Sequence, residues 1–418
     1  MRLIKILLLT PNRIVHDTFK NLVVVDEPFY IEINCQHRNH SDERVCGDVF
    51  LSRRIKEESR TIVVLSDGIG HGIKANMLAT LTSTLAVNLT EEYKSIDRIA
   101  EIIMNTLPVD KEKQLNFSTF TILDIEHDGT VNILEYENPR TLFFRGSRIF
   151  EPGWNCIILS SEKNRGKEIL SAKFNAMKED RIVLCTDGVV QSGLGSEKFP
   201  LGWGTENVNH FVLEKISHEP DISAVKLASV VINKANQNDD FVPKDDISCA
   251  VIYFRHPRKL IICSGPPHDP QSDKVFSSLL KSLSGKKIIC GATTADMIAR
   301  EWGETIIDET VIHDPDLPPV SHMNGVDLIT EGILTLSKVS ELLKIHSSDH
   351  DLGRGPADEI VRMILQSDEI EFIVGTSINA AHQDPSLPVE LELRRTVVHR
   401  IVRLLDQKFL KATRMSFY

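Results

Sequence analysis

The sequence predicts an α+β layered domain followed by an α/β domain with a mainly parallel sheet. Up to about Phe254, short apolar runs and period-two alternation dominate, and few helical segments interrupt them. After His256-Pro257-Arg258, strand-like runs alternate with glycine-containing loops and helices, which is typical of an α/β domain with ligand loops at the carboxyl ends of its strands. We therefore place a domain boundary near residue 256, between domains of residues 28–255 and 256–418.

The composition is that of an ordinary globular protein. The 418 residues are 41% hydrophobic and 26% charged, with a mean hydropathy of −0.11. The net charge of −11 disfavours nucleic acid and anionic membranes as main partners. The seven cysteines form no Cys-x-x-Cys pair, so we expect reduced thiols in a cytoplasmic protein rather than disulfides or a zinc cage. No apolar run approaches the roughly 20 residues that span a bilayer.

Residues 1–27 are expected to form an N-terminal extension. The first nine residues superficially resemble a signal peptide. Lys5 interrupts their apolar run, Pro11 closes it, and no small-residue cleavage site follows. Two alternatives to a signal peptide remain for this segment, namely an additional strand and an ill-ordered extension.

Short runs rich in Ile, Val, Phe and Thr, each bounded by turn residues, predict the strands of the first domain. Three longer segments have apolar residues at helical spacing. We expect the first of these helices to face the core for most of its length. The predicted strands are Phe29–Gln36, Val49–Ile55, Thr61–Ser66, Phe117–Ile125, Thr130–Tyr136, Thr141–Arg145, Arg181–Thr186 and Ser248–Phe254, and the predicted helices are Ile73–Leu89, Ile96–Leu107 and Asp221–Asn236.

Four aspartates lie at the ends of predicted strands. Asp67 and Asp187 each follow a buried apolar run and precede a glycine, which lets the backbone approach a ligand closely. Asp48 and Asp245 each precede a strand. Gathered carboxylates raise each other's pKa unless a cation neutralises them. Mg²⁺ and Mn²⁺ prefer such oxygen ligands, and the lack of paired His or Cys ligands disfavours zinc.

A third Asp-Gly pair, Asp128-Gly129, serves as an internal comparison. It lies between two alternating strands, which is the normal signal for a type I′ hairpin. No returning strand follows Asp67 or Asp187, and Asp67 leads through glycines 70 and 72 into a helix. We expect those glycines to permit a tight strand-to-helix turn.

Four motifs then occur in a fixed order: Cys-Gly-Asp at 46–48, Leu-Ser-Asp-Gly-Ile-Gly-His-Gly at 65–72, Cys-Thr-Asp-Gly-Val at 185–189 and Asp-Asp-Ile-Ser at 245–248. Together they resemble the metal-dependent protein phosphatases of the 2C type, specifically the bacterial branch typified by stage II sporulation protein E. The resemblance covers about residues 28–255. It implies an antiparallel β-sandwich flanked by helices and a protein serine/threonine phosphatase activity.

The resemblance also implies a site with two Mn²⁺ or Mg²⁺ ions. Asp67 is expected to bridge the ions, and Gly68 to lend its backbone carbonyl to one of them. Asp187 and Asp245 would complete the protein ligands of the other ion, while Asp48 would hold a metal-bound water or ligate directly. Two ions would supply a nucleophilic water and clamp the phosphoryl oxygens, which agrees with the lack of a convincing Cys or Ser nucleophile.

Two residues near this site have open alternatives. Asp246 could replace its neighbour Asp245 as a ligand, or it could cap a loop. His71 could protonate the leaving serine oxygen, or it could face solvent or accept a hydrogen bond at the start of the helix.

In the second domain, the strand Lys286–Cys290 leads into a turn of small residues and then a helix beginning near Asp296. Backbone amides at such a helix start, with two threonine hydroxyls, predict a cradle for a small anion or a nucleotide phosphate at Gly291, Thr293 and Thr294. A plain turn with threonine as N-cap is the alternative. We also predict the helices Ala357–Gln366 and Val389–Leu410, the latter as a long final helix.

The sequence therefore favours a metal-dependent phosphatase that acts on phosphoserine or phosphothreonine of a partner protein. By resemblance, the setting is bacterial partner-switching signalling, and the substrate class is a phosphorylated anti-sigma-factor antagonist or a similar small protein. Residues 256–418 are either a ligand sensor that regulates the phosphatase or an interaction domain, for example one that forms a homodimer. The rival function is a non-catalytic pseudophosphatase that senses a ligand.

Overall fold

The computed structural model describes residues 29–55, 57–92, 95–106, 118–346, 352–377, 388–409 and 411–418. The predicted extension of residues 1–27 lies outside this range. The strands are β1 (Tyr30–Arg38), β2 (Asp48–Ile55), β3 (Arg60–Gly68), β4 (Ser118–Ile125), β5 (Thr130–Tyr136), β6 (Leu142–Arg145), β7 (Arg148–Ile149), β8 (Trp154–Ile158), β9 (Glu168–Asn175), β10 (Asp180–Cys185), β11 (Ile247–Arg255), β12 (Lys259–Ser264), β13 (Lys286–Cys290), β14 (Ile307–Asp308), β15 (Ser321–Met323), β16 (Val326–Thr330), β17 (Glu369–Val374) and β18 (Ala412–Phe417). The helices are α1 (Gly72–Glu92), α2 (Ile96–Thr106), α3 (Asp187–Val190), α4 (Thr205–His218), α5 (Ala224–Asn238), α6 (Asp273–Ser282), α7 (Ala292–Trp302), α8 (Ile333–Ile345), α9 (Pro356–Leu365) and α10 (Pro388–Gln407).

Two antiparallel sheets form a sandwich in the first domain. One has the strand order β1-β11-β10-β6-β7 and the other β2-β3-β4-β5-β9-β8. Alternation along β3 explains the layering, because Val63 and Leu65 pack between the sheets while Ile62 and Val64 face α1 and α2. Helices α4 and α5 cover the outer face of the other sheet. The predicted antiparallel sandwich flanked by helices is confirmed.

The third sheet begins at Lys259, after the sandwich has ended at Arg255. Its order is β14-β15-β16-β13-β12-β17-β18, and the five strands from β16 to β18 in that order run parallel. Helices α8, α9 and α10 pack on one face, and α6 and α7 on the other. The mainly parallel sheet is therefore confirmed as well, and this change of sheet supports our proposed division near residue 256.

A buried ion pair joins the third sheet to the sandwich. The guanidinium of Arg255, the last residue of β11, contacts both carboxylate oxygens of Asp368 at 2.5 and 3.0 Å. Its Nε also donates to Glu32 of β1 at 2.5 Å. Both side chains of the Arg255–Asp368 pair are about 6% exposed. Two-point contact of this kind fixes the guanidinium plane.

Helix α1 differs from the prediction in which face it buries. Small residues such as Ala75 and Ala79 face the sheet, whereas Ile73 and Met77 are each 66% exposed and Leu81 is 52% exposed. The helix therefore packs on the core along most of its length, as expected, but small residues rather than its large apolar residues make the contact. The reason is the close approach of α1 to β3, which only small side chains permit.

Several local predictions need correction. Helix α7 begins at Ala292 rather than near Asp296, and its N-cap is Gly291 rather than a threonine. The hairpin after β4 exists, but only Gly129 has a positive φ there, whereas a type I′ turn needs two such residues. The long C-terminal helix is followed by a further parallel strand, β18. Strands β8 and β9 and helix α4 were missed. Within the described ranges, no helix is long and apolar enough to cross a membrane.

Candidate metal centre

Asp48 and Asp67 lie directly opposite each other on adjacent antiparallel strands. Asp48 is the first residue of β2, and it pairs in register with Asp67 near the end of β3. Asp48 is 7% exposed, and Asp67 is partly buried. The strand pairing therefore brings together two carboxylates that are 19 positions apart in the sequence.

The other sheet supplies Asp187 and Asp245. Strand β10 ends at Cys185, and Asp187 begins the one-turn helix α3 two residues later. Asp245 lies just before β11, which pairs with β10. A hydrogen bond joins the two sheets here, since the Thr186 hydroxyl donates to Asp48 Oδ2 at 2.8 Å. All four predicted aspartates thus lie at one end of the sandwich.

Burial and mutual repulsion perturb these carboxyl groups. Burial raises the pKa of Asp67 far above its ordinary value, and the charges of Asp48, Asp187 and Asp245 raise it further. Burial likewise raises the pKa of Asp48 in spite of the hydrogen bond from the Thr186 hydroxyl. The pKa of Asp245 is raised to about 6 by burial and by the charge of Asp187. Such a cluster binds either protons or a cation.

Two oxygen atoms of the cluster are buried without a hydrogen-bond partner in the described structure, Asp48 Oδ1 and Asp187 Oδ1. Buried carboxylate oxygens are normally hydrogen-bonded, so these two atoms fit ligands of a cation. No group of three His, Cys, Asp or Glu side chains in the described ranges surrounds a single point closely enough to hold an ion by itself. An open site that adds a backbone carbonyl and waters suits Mg²⁺ or Mn²⁺ better than a closed cage.

The glycines that follow Asp67 and Asp187 are required by close packing. A Cβ atom on Gly68 would lie 2.1 Å from the carbonyl oxygen of Ala75 in α1. A Cβ atom on Gly188 would lie 2.2 Å from the carbonyl oxygen of Asp246. Both glycines therefore set how tightly the elements around the cluster pack. Gly70 and Gly72 have φ values of +89° and +74°, which agrees with the predicted tight turn into α1.

Asp246 is occupied by hydrogen bonds from the chain itself. Its Oδ1 accepts from the backbone N–H of His40 at 2.9 Å, and its Oδ2 accepts from that of Gly47 at 2.9 Å. Asp246 is 2% exposed, whereas Asp245 is partly exposed beside Asp187. This geometry favours Asp245 over Asp246 as the metal ligand. Asp246 instead caps a loop.

His71 lies at the rim of the cluster. Its Nδ1 is 2.9 Å from Glu43 Oε1, and its ring stacks on that of His40 with the centroids 4.5 Å apart. His40 also lies near Asp245 and acts to lower the pKa of that carboxyl group. Sequence reasoning missed His40 and Glu43, and no motif marked them. It also missed Thr186, although this residue lies inside the Cys-Thr-Asp-Gly-Val motif.

The three residues predicted for the C-terminal cradle lie together at the start of α7. Gly291 has a φ of +126° and no side chain caps the helix, while Thr293 is exposed and Thr294 is buried. The N–H of Gly291 donates to Thr330 at the end of β16 at 2.8 Å. Ligand binding at Gly291, Thr293 and Thr294 stays a prediction.

Comparison with known proteins concerns the first domain. Residues 57–255, just under half of the chain, match the sequence profile of the family described as stage II sporulation protein E (SpoIIE). No curated protein sequence matches the chain.

Solved structures with a similar fold include the phosphatase domain of the cell-fate determinant SpoIIE from Bacillus subtilis. That domain is 14% identical, and the match covers 55% of this chain and 94% of the other, with a TM-score of 0.41. The RsbU and RsbW domains of a Mycobacterium tuberculosis protein are 17% identical over 61% and 68% of the two chains, with a TM-score of 0.43. The SiaA-PP2C domain of Pseudomonas aeruginosa is 14% identical over 53% and 85%, with a TM-score of 0.40.

Proposed function

We propose that this chain is a divalent-metal-dependent phosphatase that acts on a phosphoprotein. The proposal starts from the match of residues 57–255 to the stage II sporulation protein E family of protein serine/threonine phosphatases. The family match supports the activity. The geometry supports the metal dependence, which we assign to two Mn²⁺ or Mg²⁺ ions.

One observation carries this proposal beyond the family match. Four carboxyl groups from two sheets meet at one end of the sandwich, and two of their oxygens are buried with no hydrogen-bond partner among the residues that the structure describes. Burial of like charges is unfavourable unless a cation is present. Without a bound cation, the burial of these like charges would lower the stability of the fold.

The residues have separate roles in the proposed reaction. Asp67, together with the backbone carbonyl of Gly68, would be the central ligand, because the charges of all three other carboxyl groups raise its pKa. Asp187 and Asp245 would hold the cation from the opposite sheet, and Asp48 is oriented by the hydroxyl of Thr186. When bound, such ions neutralise the phosphoryl oxygens and make water nucleophilic at neutral pH. The hydrolysis then needs no covalent phosphoenzyme.

A proton-donor role of His71 is the least supported part of the proposal. Its Nδ1 is engaged with Glu43, so only Nε2 is available to donate a proton to the leaving oxygen. General-acid catalysis by His71 therefore stays a prediction.

The substrate class is inferred from the family alone. We propose a phosphoserine or phosphothreonine protein of the partner-switching type, such as an anti-sigma-factor antagonist. The second domain is proposed to regulate this activity, since the buried Arg255–Asp368 pair attaches its sheet to β11, which begins beside Asp245 and Asp246.

Hydrolysis of p-nitrophenyl phosphate by the full chain tests the proposal. We expect activity with Mn²⁺, none with EDTA, and a loss of at least roughly 100-fold in Asp67→Asn, because removal of a central charged ligand commonly costs that much. Activity that survives EDTA or the substitution would rule out the metal-dependent mechanism. Absence of both Mn²⁺ binding and activity in the wild type would favour the pseudophosphatase.

A further inference from the structure

Three carboxylates of the candidate metal centre share the same hydrogen-bonding arrangement. In each of them, one oxygen accepts a hydrogen bond from a neutral donor of the chain itself. The donor is a hydroxyl in one case, a side-chain amide in the second and a backbone N–H in the third. Asp48 Oδ2 accepts from the Thr186 hydroxyl at 2.8 Å, Asp187 Oδ2 from the Gln191 amide at 3.0 Å, and Asp245 Oδ1 from the N–H of Asp246 at 2.8 Å.

The second oxygen of two of these carboxylates is left over. Asp48 Oδ1 and Asp187 Oδ1 are buried and have no hydrogen-bond partner among the residues that the structure describes. The chain thus holds one oxygen of each group and leaves the other for a partner from outside. A carboxylate held in this way offers a cation one oxygen, because ligation through both oxygens would require the existing hydrogen bond to break.

Gln191 presents its amide from a fixed backbone. It is the C-cap residue of α3, and its N–H donates to the carbonyl of Asp187 at 2.7 Å. Gly202 packs so closely on it that a Cβ atom there would lie 2.8 Å from the Cα atom of Gln191. The position of the donor is therefore set by the surrounding chain, although the side chain itself is exposed.

An ordinary helical side-chain pair is the simpler explanation of this contact. Asp and Gln four positions apart stabilise a helix slightly when their side chains bond. Helix α3 has only four residues, so there is little helix to stabilise. The pair also involves a carboxylate whose other oxygen is buried and unpartnered, which an ordinary surface pair does not explain.

One-oxygen carboxylates suit some divalent cations better than others. Ca²⁺ takes roughly six to eight oxygen ligands at about 2.3–2.6 Å, and it commonly binds both oxygens of a carboxylate. Mg²⁺ demands an octahedral set at about 2.0–2.1 Å that includes several waters, and Mn²⁺ accepts similar octahedral oxygen ligands. A site in which three carboxylates each keep one oxygen bonded to the chain lacks the two-oxygen ligands from which Ca²⁺ gains.

We propose that Gln191 is a specificity-determining residue of the metal centre, which holds Asp187 as a one-oxygen ligand and thereby favours Mn²⁺ and Mg²⁺ over Ca²⁺. Thr186 restrains Asp48 in the same way. Without its amide donor, Asp187 can rotate and offer both oxygens to a larger ion. The inference rests on the proposed metal-dependent function, and it adds the choice of ion to that function.

Metal binding by the full chain tests this role without any turnover. Free Mn²⁺ is measured by electron paramagnetic resonance during a titration, which yields the Kd for Mn²⁺. Competition by Ca²⁺ and by Mg²⁺ then yields their Kd values on the same protein. Thermal unfolding in EDTA reports separately on any purely structural effect of a substitution.

Gln191→Met removes the donor and keeps an unbranched side chain of similar length. Gln366→Met is the matched control, because Gln366 is also an exposed glutamine at the C-cap of a helix, α9. Its backbone conformation is the same, and its N–H likewise donates to the carbonyl four residues earlier. The residue at that earlier position is Arg362 rather than an aspartate of the cluster.

We expect the wild type to bind Ca²⁺ at least roughly tenfold more weakly than Mn²⁺. In Gln191→Met, the Kd for Mn²⁺ should rise about tenfold, at the low end for loss of a partner that orients a metal ligand. The Kd for Ca²⁺ should rise much less or fall, so the ratio of the two constants shrinks. The melting temperature in EDTA should stay unchanged, and Gln366→Met should match the wild type throughout.

Three results would overturn this role of Gln191 and leave the phosphatase proposal standing. They are equal affinity of the wild type for Ca²⁺ and Mn²⁺, a ratio that Gln191→Met does not change, and a change in Gln366→Met of the same size. Equal weakening of all three ions together with a lower melting temperature in EDTA belongs to the second case and would mark a structural role. A wild type that binds no Mn²⁺ would contradict the proposed metal dependence itself.

Discussion

Thr186 donates its hydroxyl hydrogen to Asp48 at 2.8 Å and thereby joins the end of β10 in one sheet to the start of β2 in the other. The same hydroxyl oxygen accepts the backbone N–H of Ser248 at 3.0 Å. The orientation of Asp48 therefore depends on the packing of the two sheets. A candidate site whose ligands come from both layers is assembled only when the sandwich is complete.

Substitution of Thr186 by the nearly isosteric valine should expose this dependence. It removes two buried hydrogen bonds, so we expect the free energy of unfolding to fall by about 1–3 kcal/mol. The apparent Mn²⁺ affinity should fall as well, because Asp48 loses its orienting partner. Urea unfolding and Mn²⁺ titration measure the two effects.

Thr61→Val provides the matched control for that substitution. Thr61 is also a buried threonine on a strand, and no hydrogen bond involves its side chain within the described ranges. We expect little change in stability and none in Mn²⁺ affinity. Equal effects of the two substitutions would show that Thr186 acts only as a buried side chain.

Asp67→Asn should stabilise the protein in the absence of metal. Burial and three neighbouring carboxyl groups raise the pKa of Asp67, so the folded state at neutral pH bears the cost of keeping it protonated or charged. Each unit of pKa shift corresponds to about 1.4 kcal/mol. We therefore expect the free energy of unfolding in EDTA to increase by about 1–3 kcal/mol in the variant. Thermal unfolding in EDTA measures it. A destabilised variant would contradict the electrostatic account of the cluster.

The stabilising effect of Mn²⁺ should grow with pH. Asp48, Asp67 and Asp245 have raised pKa values, the last about 6, against an ordinary value of 3.8. A raised pKa means that the folded state holds its proton more tightly than the unfolded chain. The contribution of these three carboxyl groups to the stability of the metal-free protein is therefore fully present below about pH 4 and is lost as the pH rises through their folded-state pKa values.

Thermal unfolding with Mn²⁺ and with EDTA at pH 5, 6, 7 and 8 tests this dependence. We expect the difference between the two melting temperatures to widen steadily over this range, and to be much smaller in Asp67→Asn. A difference that stays constant with pH would mean that the carboxyl groups do not bind the ion.

Gly68→Ala should disrupt the packing of α1 on β3. The added methyl would lie 2.1 Å from the carbonyl oxygen of Ala75, so the helix must shift. We expect the free energy of unfolding to fall by more than about 3 kcal/mol, which is at the upper end of the range for overpacked cores. Gly70→Ala is the comparison, since nothing lies within 4 Å and only its φ of +89° is unfavourable, at about 1–2 kcal/mol. Equal losses in urea unfolding would show that the contact with Ala75 is unimportant.

The sequence predicted the positions of the four aspartates because they lie at strand ends, where a buried apolar run gives way to Asp-Gly. That local signal is strong for Asp67 and Asp187. Asp128, by contrast, is exposed and accepts the N–H of Thr130 in a hairpin, away from the cluster. The choice of Asp245 over Asp246 needed the structure, because adjacent residues differ only in which loops they contact.

Other features could not be predicted from local pattern. The exposure of Ile73 and Met77 follows from how closely α1 approaches β3, and helical periodicity alone does not say which face is buried. His40 and Glu43 reach His71 through a loop without a motif. Strand β18 was missed because its edge position and mixed polarity give little signal, although its pairing with β17 completes the third sheet.

The most direct test of the central claim is Mn²⁺-dependent release of phosphate from a phosphoserine peptide, measured for the wild type and for single Asp→Asn variants at 48, 67, 187 and 245. Asp128→Asn serves as the matched control, since it is an Asp-Gly aspartate outside the cluster. We predict that all four variants lose both Mn²⁺ binding and phosphate release, while Asp128→Asn keeps the wild-type values. Phosphate release that persists in Asp67→Asn or in EDTA, or a loss in Asp128→Asn as large as in the four, would contradict the account.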